Sequence, residues 1–192
     1  MPSLEPDTIC MNRSITVMLL CLTVGTAWTQ PCQYEVQEVD RFTRKLTKLT
    51  RPEKVISTFY NTGRFSAKRE DSTFQLILDY TASSYTRIDP FSIPRDAELN
   101  FLLADGRQIT LYCAEEIRGI RRTYVGLPPV YSCEIRQATF PISRSQIEAF
   151  LQSDMQMIRI HRRDGNGKLG HVDEEIRENN RDDVRAILTC LL

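Results

Sequence analysis

The chain has 192 residues, with 25 basic and 25 acidic side chains, two histidines and six cysteines. That length holds one domain with a real core and is short for two. With the charges balanced there is no electrostatic footprint for nucleic acid, which excludes that class of partner.

Residues 15–27, ITVMLLCLTVGTA, form an apolar run preceded by Arg13 and followed by small residues. This is the layout of a secretory leader, and the run is shorter than the roughly 20 apolar residues a spanning helix needs. The reading is a signal peptide over residues 1–29. Met11 is a better start than Met1, because residues 1–10 carry two acids and no base. Cleavage after Ala27 and cleavage after Thr29 both fit the small-residue rule. Neither Cys21 nor Cys32 follows the Leu, small, small pattern that lipid attachment needs, so a secreted or periplasmic protein is expected rather than a lipid-anchored one. Removing the leader leaves 24 basic and 23 acidic residues, and Cys32, Cys113, Cys133 and Cys190. Four thiols in an oxidising compartment allow three pairings.

After residue 30, short runs rich in Val, Ile, Thr, Phe and Tyr recur with turn signals between them. They predict strands at 34–39, 53–60, 64–68, 73–81, 97–104, 108–115, 130–140 and 155–161. Pro90 and Pro94 break up a loop between the fourth and fifth. One hairpin is specified further. In AELNFLLADGRQITLYC, Leu99, Phe101 and Leu103 share one face, and Ile109 and Leu111 share a face with Cys113. A two-residue Asp-Gly loop would put these apolar faces on opposite sides of the sheet. A three-residue loop of Ala104, Asp105 and Gly106 pairs Phe101 with Ile109 and Leu99 with Leu111 on one side, with Gly106 left-handed.

Ser143 and Gln146 make a capping box for a short helix of about ten residues with a stripe of Ile147, Phe150 and Leu151. A second helix is expected over 173–192, with Asp173 as its cap and Glu174 and Glu175 in its first turn. Val184, Ile187, Leu188 and Leu191 fall on one face of it, and Asn179 and Asn180 weaken its middle. The fold class is α+β: a mainly antiparallel sheet, sandwiched or partly closed as a barrel, with a short capped helix and a C-terminal helix. It forms a single domain over residues 30–192.

The succession DRFT, LLADGRQITLY, ISRSQIEAFLQS, MIRIHRRDG and a terminal helix resembles small exported, strand-rich domains of Bacteroidota whose role is uncharacterised. The resemblance covers most of the mature chain and implies a fold and a compartment. It carries over no catalytic residue.

Cys113 and Cys133 lie on inward faces of strands expected to be neighbours, so they are one disulfide candidate, closing a loop of about 20 residues. The other reading is two buried thiols packing as small apolar residues. Cys32 with Cys190 is the pair that remains. A thiol nucleophile needs a nearby base, and His161 alternates with Ile160 and so points away from the inward cysteines. With two histidines and no CxxC, a tetrahedral zinc site has no spacing signature. Glu115 and Glu116 are adjacent on a strand and point to opposite faces, so they cannot act as a glycosidase dyad. No serine elbow or phosphate-cradling glycine loop is present, and no cofactor is implied.

Arg118, Arg121 and Arg122, with Tyr124 beside them, form the densest basic stretch. They are candidates for an anionic glycan, a lipid head group or an acidic protein surface, set against an ordinary solvated loop. The segment DGNGKLGHVDEE places Asp164, Asn166 and Glu175 at positions one, three and twelve of a calcium loop. Lys168 at position five and Leu169 at position six, where glycine is required, break the pattern. The segment reads instead as the corner between the last strand and the last helix. Two functions follow: an exported non-catalytic domain that binds or supports something at the cell envelope, or a secreted hydrolase whose acids come from distant strands. A cleft lined by two carboxylates would favour the second.

Overall fold

In the computed structural model residues 32–192 are described, so the expected leader over 1–29 lies outside the described residues. Extended segments succeed one another as β1 (Tyr34–Val39), β2 (Leu46–Thr50), β3 (Glu53–Ser57), β4 (Asn61–Glu70), β5 (Thr73–Ser84), β6 (Ser92–Ile93), β7 (Glu98–Leu103) and β8 (Gln108–Tyr112). They continue as β9 (Ile117–Arg118), β10 (Ile120–Tyr124) and β11 (Val130–Ile142). Helix α1 (Arg144–Gln152), strands β12 (Met155–Arg163) and β13 (Leu169–Glu175), and helix α2 (Glu178–Thr189) complete the order.

Two open antiparallel sheets result. The first runs β1-β2-β4-β5-β11-β10, with β3 also paired to β4; the second runs β8-β7-β12-β6-β9, with β13 paired to β12. Alternation puts Phe65 and Ala67 of β4, Leu76, Leu78 and Tyr80 of β5, and Leu99, Phe101 and Leu103 of β7 into one shared core. The ring of Phe101 lies 6.1 Å from Phe65 and 5.0 Å from Phe150 of α1, so both sheets and the short helix meet there. Each such side chain contributes about 1.5–3 kcal/mol through burial. Helix α2 lays Val184, Ile187 and Leu188 inward and packs along β3 and β4.

The β7–β8 hairpin has the expected register: Phe101 pairs with Ile109 and Leu99 with Leu111, and Gly106 sits at φ +83°. The capping box of α1 is also present, Ser143 Oγ accepting from Gln146 N while Gln146 Oε1 accepts from Ser143 N. Strand β11 carries a bulge between Ile135 and Ala138. Gln137 is at φ +56° and its N–H donates to Asp79 Oδ1 at 2.7 Å.

The chain changes sheets at Gly119, between β9 of the second sheet and β10 of the first. Its N–H donates to the Phe91 carbonyl at 2.8 Å. A β-carbon there would lie 2.6 Å from that same oxygen and closer still to Cys133 Sγ, so only glycine fits the crossing.

Three expectations change. Strands β2, β6, β9, β10 and β13 were not read from the sequence, and β9 and β10 occupy what reads as a long loop. Residues 173–175 are not the start of the last helix: they belong to β13, which pairs with β12, and α2 begins at Glu178 after Arg177, which makes no side-chain cap bond. The reason is Glu174. It takes an inward position of β13 that an apolar residue would normally mark, and its carboxylate accepts from Asn61 Nδ2 at 2.6 Å and Tyr80 Oη at 3.1 Å. Asp173 therefore caps nothing and forms a two-bond ion pair with Arg159. Asn179 and Asn180 lie in the first turn of α2 rather than dividing it, and Asn180 Nδ2 donates to the Val55 carbonyl at 3.0 Å.

Candidate functional site

Of the two expected cysteine pairs one is formed, and the other two thiols take the alternative reading. Cys32 and Cys190 are bonded, with Cα atoms 5.5 Å apart, and tie β1 to the end of α2. Cys113 and Cys133 are free and buried, so they are not a disulfide and pack as the two buried thiols of the alternative reading. Cys133 lies on β11 with Arg121 and Ala82 as its strand neighbours in the first sheet, whereas Cys113 follows β8 in the second. Burial pushes both thiols above their ordinary pKa, so neither is an activated nucleophile.

The calcium candidates separate as well. Asp164 Oδ1 accepts from the backbone N–H groups of Asn166 and Lys168, both at 2.9 Å, which makes it the clamp of a tight turn joining β12 to β13. Glu175 pairs with Met157 at the far end of that hairpin, about 20 Å along the strand. Asp164, Asn166 and Glu175 therefore do not converge. The segment is a hairpin turn between two strands, not a corner leading into a helix.

The three candidate arginines also diverge. Arg118 belongs to β9 in the second sheet and lies 3.8 Å from Glu116 as an exposed pair. Arg121 and Arg122 are consecutive on β10 and point to opposite faces. Of the three, Arg122 alone reaches the outer face of the first sheet, and there it meets groups that lie far apart in sequence.

That outer face holds an open groove of about 740 Å³, lined by Thr62 and Arg64 of β4, Asp79 and Thr81 of β5, Tyr124 of β10 and the β11 residues Glu134 to Gln137. Glu134 anchors it. Although only 8% exposed, its carboxylate accepts from Arg122 Nε at 3.0 Å, Arg136 Nη2 at 2.9 Å and Tyr124 Oη at 3.0 Å. Burial alone would raise its pKa, but the bonds from Arg136, Tyr124 and Arg122 outweigh burial and hold it below the ordinary carboxylate range. Each guanidinium uses one nitrogen on Glu134 and keeps others for a ligand. Arg64 stands opposite Asp79 across β4 and β5, with no ion pair among the described residues. Three guanidinium groups thus face two carboxylates.

The groove opens toward one end of the sheet, where the chain places three tyrosines. Tyr60 lies in the bend just before β4, its carbonyl accepting from Ser83 N at 2.7 Å, and Tyr85 lies in the bend just after β5. Tyr60, Tyr85 and Tyr124 are 53%, 47% and 53% exposed. Phe59 sits edge-on to Tyr60 at 4.9 Å and tilted on Tyr85 at 6.1 Å, holding the first two rings in place. Compared with family models, curated proteins and solved structures, the chain matches none.

Proposed function

We propose that the protein is an exported, non-catalytic binding domain whose groove on the outer face of the first sheet takes an acidic saccharide at the cell envelope. The carrying observation is the convergence of Arg64, Arg122 and Arg136, from three different strands, beside a row of exposed tyrosines. Guanidinium forks match a carboxylate or sulfate, and tyrosine faces suit the apolar side of a sugar ring while the hydroxyl stays wet. Export is supported by the leader-like run over 15–27 and by the Cys32–Cys190 bond, which fits an oxidising compartment.

Two carboxylates line the same groove, as a hydrolase would require. A glycosidase keeps one of its pair protonated to act as an acid, and Glu134 is arranged in the opposite sense, with three donors favouring its charge. That arrangement supports binding over hydrolysis.

Affinity electrophoresis through gels carrying polygalacturonate, with neutral dextran as the control, tests the reading. Retardation by the acidic polymer alone, reduced by Arg64→Ala and by Tyr60→Ala, is the expected result. Equal mobility in both gels would overturn it. The exposed loop residues Val125 and Leu127 favour one second reading, an anionic membrane surface. Co-sedimentation with phosphatidylglycerol vesicles, without retardation by the polysaccharide, would replace the first reading by that one.

A further inference from the structure

On the outer face of the second sheet the chain's two histidines stand directly opposite each other: His161 on β12 pairs with His171 on β13. The ladder bonds Asp164 N to Lys168 O and Ile176 N to Gln156 O fall on even-numbered positions of β12. His161 and His171 are therefore a non-hydrogen-bonded pair, the kind whose side chains stand closer together. Their ring centres are 5.6 Å apart and the planes are inclined by 38°. Two imidazoles on one zinc ion, each at about 2.0–2.1 Å, place their ring centres about 5 Å apart at a tetrahedral angle. Closing the difference takes a few tenths of an ångström, which side-chain rotation supplies, since His161 is half-buried and His171 exposed.

The surroundings suit a cation. Glu98 Oε2 lies 3.9 Å from His161 Nε2 and offers a third donor after a small rotation. Asn100 Nδ2 is 3.3 Å from the same nitrogen and also donates to Glu98 Oε2, so it holds both groups in place from behind. An incoming ion has that one amide bond to displace from His161. Of the two arginines that flank His161 on this face, Arg159 is neutralised by its two bonds to Asp173, while Arg163 has no ion pair among the described residues. Among the described residues no three His, Cys, Asp or Glu side chains are already placed to hold a metal ion, so the site rests on the two imidazoles and water would complete the coordination of a bound ion.

The geometry points to a bis-imidazole site at His161 and His171 for a borderline divalent transition-metal ion of the zinc and nickel class, with Glu98 as the supporting carboxylate. Imidazole pairs select these ions over calcium and magnesium, which take oxygen ligands. The site lies on the opposite sheet from the saccharide groove and does not depend on that reading.

Calorimetric titration of the mature protein with zinc chloride tests it. One equivalent binding in the micromolar range is expected, weakened at least about tenfold by His161→Ala and equally by His171→Ala. Proton NMR supplies a second readout that needs no variant. Substoichiometric nickel should broaden both histidine ring signals together, ahead of the rest of the spectrum. Zinc binding that survives both substitutions, absence of binding below millimolar metal, or broadening of one histidine alone would overturn the site.

Discussion

Replacing both Cys32 and Cys190 by alanine removes a cross-link between residues 158 apart in sequence. In the chain-entropy treatment a loop of that size restrains the unfolded chain by about 5 kcal/mol. Little of that is offset in the folded state, because the ends stay docked without the bond. Tyr34 Oη donates to the Cys190 carbonyl at 3.0 Å, Arg69 Nη1 donates to the Leu191 carbonyl at 3.1 Å, and the Leu191 side chain is fully buried. At about 2–4 °C per kcal/mol for a domain of this size, the melting temperature should fall by about 10–20 °C. Differential scanning calorimetry of the oxidised protein and the double variant measures the fall. A guanidinium titration should show a larger m-value for the variant, because its unfolded chain is freer to expand. A fall of less than about 3 °C with an unchanged m-value would refute this account and mean that the cross-link restrains a chain end already free in the native state.

Gly119→Ala should destabilise the protein by about 1–3 kcal/mol, read from urea unfolding, because the added carbon meets the Phe91 carbonyl oxygen and Cys133 Sγ at the crossing between sheets. Stability should also depend on acid. For Glu134 burial opposes ionisation, but its three donors prevail, and for Asp173 the hydrogen bonds from Arg159 lead, so both carboxyls titrate below their ordinary values. With folded pKa values below the unfolded ones near 4, the unfolded chain binds more protons, so these contributions are present above about pH 4 and are lost as pH falls through the folded values. Urea midpoints measured from pH 7 to pH 3 should fall, and Glu134→Gln should fall less steeply.

Where one sheet face is apolar and the other wet, the sequence predicts its own structure well. The β7–β8 register follows from Leu99, Phe101, Ile109 and Leu111, because the two-residue Asp-Gly loop would expose half of them. The capping box at Ser143 is equally local. Strand β13 was missed because Glu174 breaks the alternation at an inward position, and its partners Asn61 and Tyr80 lie 113 and 94 residues away. Strand β10 was missed for another reason: as an edge strand, it is exposed at every residue and carries no alternation at all. The candidate site was legible in one part, Arg122 and Tyr124. Arg64 and Arg136 join them only through the order in which β4, β5, β11 and β10 pair, which no local pattern encodes. The two histidines, ten residues apart, become neighbours only once their segment is read as a hairpin rather than a helix entry.

The bulge in β11 acts on the strand as a frame shift acts on a message. Before it the core-facing apolar residues carry odd numbers, Cys133 and Ile135; after it they carry even numbers, Ala138, Phe140 and Ile142. The strand is thus written in two phases, and the extra residue at 136–137 joins them. Side chains there are exposed, and the Gln137 N–H is held by Asp79 Oδ1. Pairing every residue of β11 in a regular ladder would turn Phe140 and Ile142 to solvent, whereas deleting Gln137 would merge the two phases and leave both inward, so the extra residue is what lets both halves of this strand face one core.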